Sequence, residues 1–204
     1  MTAAPQVVDP EVSRAKFDRE VAAYRMLEAT YRKRGWLLLG ATFPEVFVAF
    51  AATKIKPAPI VAAVIVDFTD YDLQPPSVRF VDPFTRERLT ASNVGFQMLR
   101  RPAMPGAPPE MIAAMIQQGA IQLSAMLQAN KPDDFPFLCL PGVREYHDNP
   151  AHTGDSWLLH RGSGEGYLVF ILEKIWIYGA DPLAAYNIQI QIQGLAPNPM
   201  GIPE

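Results

Sequence analysis

The chain has 204 residues, 49% of them hydrophobic and 19% charged. That is apolar matter for one cored domain with decoration, and too much for a wholly disordered chain. Eighteen Lys and Arg against 21 Asp and Glu leave a net charge of −3, without the basic field that nucleic acid demands of its main partners. A single cysteine excludes internal disulfides and cysteine-rich zinc fingers. No apolar run approaches the ~18 residues of a membrane span, and the start MTAAPQVVDP has no basic-then-apolar signal segment. The expected setting is a reducing cytoplasm, away from membranes.

Residues 1–10 read as a disordered arm, 11–195 as one domain, and 196–204 as a tail. Asp9 and Pro10 fit a helix cap and first turn. From Glu11 to Arg34 the residues Phe17, Val21, Tyr24, Leu27 and Tyr31 recur at helical steps, ending at Gly35, so one amphipathic helix is expected. Arg32, Lys33 and Arg34 suit the negative end of its dipole. The runs from Trp36 and from Glu45 read as two strands, Ile60–Phe68 as a buried third, and SVRFVDP as a fourth with Val78, Phe80 and Asp82 on one face. A helix followed by a four-stranded antiparallel meander is an α+β pattern.

Residues 83–108 read as loop. The apolar spacing Ile112, Met115, Ile116, Gly119, Leu123, Met126, Leu127 predicts a second helix near 110–128. All three histidines fall in the polar segment before Gly166. Gly166–Gly179 reads as helix, with a strand as the alternative, and the strict Ile/Gln alternation at 187–193 predicts a final strand. Arg100-Arg101 and Arg86-Glu87-Arg88 read as solvated faces, and Trp157 and Arg161 as packing beneath the histidine loop.

Cys139 sits in FPFLCLPG. Flanking leucines suit a buried small hydrophobe, but Pro141-Gly142 ends the apolar run at once, which would leave the sulfur at an exposed end. A thiol needs help to ionise at neutral pH, and His147, His152 and His160 follow within 21 residues. One of these imidazoles could assist, oriented by Asp148 or Asp155. Cys139, His147, His152 and His160 or an aspartate also supply zinc-type ligands, though Cys-x7-His-x4-His matches no standard pattern.

The stretch VAAVIVDFTDYDLQPPSVRFVDP, with Phe68, Tyr71, Pro75, Pro76 and Phe80, resembles the central signature of ubiquitin-conjugating enzymes. The element order also resembles that family over about residues 10–140, with Cys139-Leu140 as the cysteine. The resemblance is to bacterial members that work beside an activating enzyme, a ubiquitin-like protein and a deconjugating peptidase in phage-defence operons. It implies a thioester on Cys139 and transfer to an amine on a target protein, with no cofactor, since the activating partner uses ATP. It also implies partner contacts for the first helix, with Arg14, Lys16, Arg19 and Arg25. The family's His-Pro-Asn triplet is absent. Asn130, in Asn130-Lys131-Pro132, stands nearest to the oxyanion-holding asparagine, with backbone N–H groups near Leu140 as the other donors. His147 or Asp148 would position the amine or accept its proton. A zinc hydrolase or structural metal protein built on the histidine loop, and a non-catalytic binding module of the same fold, are the rivals.

Overall fold

The computed structural model describes residues 7–100, 104 and 106–185. Helix α1 spans Pro10–Met26, with the Asp9 carboxylate accepting the Glu11 N–H at 2.9 Å, and α2 spans Glu28–Lys33. The expected single helix over 11–34 is thus broken at Leu27, whose φ of −117° leaves the helical region. The break lays Tyr31 flat on Trp36, ring centroids 4.6 Å apart, and leaves Leu27 exposed. The stacking of these two rings goes with a break that the apolar periodicity does not show.

Strands β1 (Trp36–Thr42), β2 (Glu45–Ala51), β3 (Ile60–Asp67) and β4 (Ser77–Phe80) form an antiparallel meander in that order. The fold class is α+β, with an N-terminal helix, a four-stranded antiparallel sheet and further helices. Strands β2 and β3 are buried on both faces, which is why they read as unbroken apolar runs. Val46, Val48, Phe50, Val64 and Val66 face the main core, and Phe47, Ala49, Ala63 and Ile65 face a second cluster. The Arg86 guanidinium lies 4.6 Å from the Phe47 ring centroid, so this residue covers the outer face of the sheet. Val78 and Phe80 point inward as expected. Asp82 lies past the strand, where its carboxylate accepts the N–H groups of Phe84 and Thr85 at 2.8 Å.

Helix α1 closes the inner face through Phe17, which meets Phe43 and Phe68 edge-on at 5.7 Å, and Phe68 meets Tyr71 at 5.0 Å. Beside α1 in the same core packs a later helix, Leu168–Ile175, whose Leu168, Ile171, Leu172 and Ile175 are fully buried. It continues into a wider turn over Trp176–Ala180. The apolar segment after Gly166 is therefore a helix, as its spacing predicts. Among the described residues no helix is long and apolar enough to cross a membrane.

Three further expectations change between residues 7 and 128. Of the expected arm at 1–10, residues 7 and 8 are tied down, their N–H groups donating to the buried Asp70 carboxylate at 2.8 and 2.7 Å, Asp9 and Pro10 open α1, and residues 1–6 lie outside the described residues. The segment expected as loop contains a short strand, β5 (Leu99–Arg100). The expected helix near 110–128 is only α3, Pro109–Gln117, because Gly119 turns the chain at φ +72°. The chain then extends through β6 (Ser124–Ala125), which pairs with β5, and β7 (Leu127–Gln128). Met126, between them, is 1% exposed: its apolar side chain belongs to an extended segment crossing the core. The Ile/Gln strand expected at 187–193 and the tail at 196–204 lie outside the described residues.

Candidate active site around Cys139

Cys139 follows directly on β8 (Phe137–Leu138), which pairs with β7. Its backbone N–H donates to the Met126 carbonyl at 2.6 Å, and the Met126 N–H to the Met98 carbonyl at 2.8 Å. The crossing segment thus stitches the cysteine to the strand that carries Arg100. The exposed Arg100 guanidinium lies 3.5 Å from the Cys139 carbonyl oxygen, so this solvated charge borders the site. Leu138 and Leu140 are buried and hold the segment down, and the cysteine itself is half-buried. Burial pushes its thiol up from the ordinary range, and the Arg100 charge offsets only part of this.

The chain beyond the cysteine is bolted to the Pro-Pro segment. Helix α4 (Arg144–Asp148) sends its Arg144 guanidinium to the carbonyls of Thr69 and Pro75, at 2.5 and 3.3 Å. The Arg144 N–H donates to the Pro76 carbonyl at 2.9 Å. Prolines restrict the chain to extended geometry and have a carbonyl to offer but no N–H. Glu145 accepts from the Ser77 hydroxyl and, at 3.1 Å, from the Val78 N–H. Helix α5 (Trp157–His160) is anchored on the same turn, the Trp157 indole N–H reaching the Asp72 carbonyl at 3.0 Å. Arg161 reaches the Asp72 carboxylate at 2.8 Å, and Lys16 of α1 binds the same oxygen. Burial alone would raise the Asp72 carboxyl, but these two cations hold it below the usual range.

The three histidines have different surroundings. His152 Nε2 lies 3.5 Å from Cys139 Sγ. Its ring stacks on Tyr146, centroids 3.8 Å apart and planes 20° apart. The Tyr146 hydroxyl donates to Asp155 Oδ2 at 2.7 Å, and this bond pushes its pKa up to about 12. Asp155 Oδ1 meets His160 Nε2 at 2.7 Å, and Glu165 Oε2 meets His160 Nδ1 at 2.5 Å. The hydrogen bond to Asp155 is the largest cause raising His160, and its return effect, with that of Tyr146, holds Asp155 below the usual carboxylate range. His147 turns away from the thiol, with Nδ1 2.9 Å from the Asp155 carbonyl and Nε2 2.6 Å from the Pro141 carbonyl.

Of the residues expected at the site, Cys139 has an imidazole beside it, but the imidazole is His152. His147, expected to position or deprotonate an amine, has both nitrogens engaged by the backbone and holds the loop in place. Asn130 and Asp148 come together, both exposed, on the wall of a cleft of about 450 Å³ that Phe137, Glu145, Asn149 and Pro150 complete. Neither Cys139 nor His152 lines this cleft; Phe137 and Pro150, which do, stand two residues before them in the chain. The ligand set Cys139, His147 and His152 is not assembled, and among the described residues no group of three or more His, Cys, Asp or Glu side chains is arranged to hold a metal ion. Tyr146 and Arg100 carry no motif in the sequence. Their signal lies in which segments the fold pairs.

A family model described as Y4jH-like matches residues 8–183. The uncharacterized protein y4jH of Sinorhizobium fredii (strain NBRC 101917 / NGR234) is 54% identical over 201 residues, which is 98% of this chain and 98% of that one. On both measures, this chain belongs to the Y4jH family.

Proposed function

We propose that the chain is a cysteine transferase that carries a ubiquitin-like protein as a thioester on Cys139 and passes it to an amine on a target protein. The observation that carries the reading is the half-buried Cys139 thiol with His152 Nε2 at 3.5 Å, on a chain segment that Arg144 ties to the Pro-Pro turn of the meander. A thiol raised by burial needs a base at hand, and a neutral imidazole can serve as one. In loading, the Cys139 S–H bond breaks and its proton goes to His152 Nε2. The sulfur bonds to the acyl carbon of the activating enzyme's thioester, and that enzyme's thiol leaves, taking up a proton. Thiol–thioester exchange is nearly isoenergetic, so access and ionisation of the sulfur set its rate.

Aminolysis is the harder step. The incoming amine would occupy the cleft beside Phe137, where the exposed Asp148 carboxylate suits a lysine ammonium and Asn130 offers an amide donor to the developing oxyanion. The chain's own residues need no cofactor for either step, and ATP is spent by the activating partner. Work beside an activating enzyme in a bacterial cytoplasm, in an antiviral defence system, belongs to the same reading. The test mixes the purified chain with ATP and with an activating enzyme and ubiquitin-like protein from the same genome. The expected result is a thiol-sensitive adduct on a non-reducing gel, lost in Cys139→Ala and slowed in His152→Gln. If the activating enzyme charges itself and the chain gains no adduct, the reading is wrong.

A further inference from the structure

We propose that Tyr146 is the positioning residue of the Cys139–His152 pair, its ring face taking up the charge His152 acquires and its hydroxyl, fixed by Asp155, setting the imidazole against the sulfur. The proposal deepens the reading of Cys139 as a nucleophile and rests on it. The geometry is a chain of four contacts. Sγ faces Nε2 at 3.5 Å, the imidazole lies on the Tyr146 ring at 3.8 Å, the phenol donates to Asp155 at 2.7 Å, and Asp155 meets His160 at 2.7 Å. His160 is itself held on its other side by Glu165.

When the thiol gives its proton to Nε2, an imidazolium forms over the face of a phenol. The negative face of an aromatic ring attracts a cation placed over it, more strongly where water is excluded. Tyr146 acts here as a neutral ring, because its proton is held by the bond to Asp155. The other charged and titratable groups around the pair are Arg100 on the thiol's side, Asp155 and His160 behind the phenol, and His147, whose ring meets Tyr146 edge-on at 5.1 Å. Arg100 favours the thiolate that the transfer leaves behind.

The test is the rate of Cys139 alkylation by iodoacetamide across pH 5–9 in the full chain, where S–C bond formation and iodide loss follow removal of the same proton. His152→Gln is expected to erase the neutral-pH component of the profile. Tyr146→Leu, which removes the ring face, is expected to weaken that component about five-fold. Tyr146→Phe and Asp155→Ala both keep an aromatic ring under His152 and remove the fixing bond; a loss smaller than that in Tyr146→Leu is expected from each. A Tyr146→Phe profile closer to wild type than that of Tyr146→Leu therefore supports the assignment even where the leucine variant is less stable. Profiles for all three that superimpose on wild type, while His152→Gln differs, would overturn it, as would a His152→Gln profile that matches wild type. A chain that shows the His152-dependent component but accepts no thioester would sink the transferase reading and leave the Tyr146 assignment standing.

Discussion

Gly142→Ala tests the seam that closes the site, because a methyl group there has nowhere to go. A Cβ built on Gly142 lies 1.8 Å from the Glu165 carbonyl oxygen, 2.3 Å from its carbon and 2.9 Å from the Gly166 nitrogen. All three are backbone atoms, so no side chain can rotate aside, and the two segments must part until the closest pair reaches ordinary contact near 3.4 Å. Overpacking costs about 1–3 kcal/mol where side chains can yield, and the upper end applies to a backbone seam. Replacing glycine returns about 0.5 kcal/mol by narrowing the unfolded ensemble, leaving a net loss of about 2.5 kcal/mol. For a chain of this length that corresponds to a fall of roughly 5–10 °C in melting temperature. The assay is urea unfolding followed by tryptophan fluorescence, with Gly95→Ala as control, since nothing lies within 4 Å of a Cβ at that position. Glu165 also holds His160, so parting the seam is expected to change Cys139 alkylation as well. A Gly142→Ala midpoint no lower than that of the control would refute the close approach and the coupling argued from it.

Phe68, fully buried and edge-on to both Phe17 and Tyr71, is expected to cost about 3–5 kcal/mol on replacement by alanine, measured by the same unfolding curves. Glu20, 4% exposed, accepts the Leu168 N–H at 3.2 Å, and burial raises its carboxyl. The folded chain therefore keeps this proton to higher pH than the unfolded chain, and the group's contribution falls as pH rises from the ordinary glutamate range through the raised value. Glu20→Gln keeps the acceptor without the charge and is expected to match or exceed wild-type stability at pH 7, whereas Glu20→Ala strands the N–H at a cost of about 1–3 kcal/mol. His160, raised by Asp155 and Glu165, contributes stability that is complete below the ordinary histidine pKa and lost as pH rises through its own. Asp155, lowered by His160, contributes stability present above the ordinary aspartate range and lost as pH falls through its lowered value. Melting temperature is expected to decline as pH rises above the ordinary histidine range, and His160→Gln to flatten that decline; an identical slope in the variant would count against the carboxylate clamp.

The meander was legible because its physics is local. Strands β2 and β3 are buried on both faces and so are apolar between Glu45 at the start of one and Asp67 at the end of the other, and the Pro75-Pro76 pair fixes the entry to β4 whatever packs on it. The second helix is shorter than its apolar spacing predicts for a physical reason as well. Met115, Ile116, Leu123, Met126 and Leu127 keep helical spacing, but Gly119 stops the helix, and Met126 is needed between two short strands that support Cys139. Apolar spacing records that a residue is buried, not which element buries it. At Leu27 the same ambiguity hid a helix break that serves the Tyr31–Trp36 stack.

The histidines show what spacing could and could not supply. Their closeness to Cys139 in sequence marked the loop as a site, but the role of each ring depends on its partners. His160 lies between two carboxylates, which favour its charged form, and a charged imidazole has no lone pair with which to accept a proton. His147 has a backbone carbonyl against each nitrogen, so neither is turned to a thiol. His152 alone faces a group that can give up a proton, at an atom that can receive it. The Asn149 side chain accepts the Ala151 N–H, closing a short turn over Pro150–His152 that brings this ring back to the sulfur. The two histidines nearer to the carboxylates and carbonyls hold the loop, and that frees the third for the thiol.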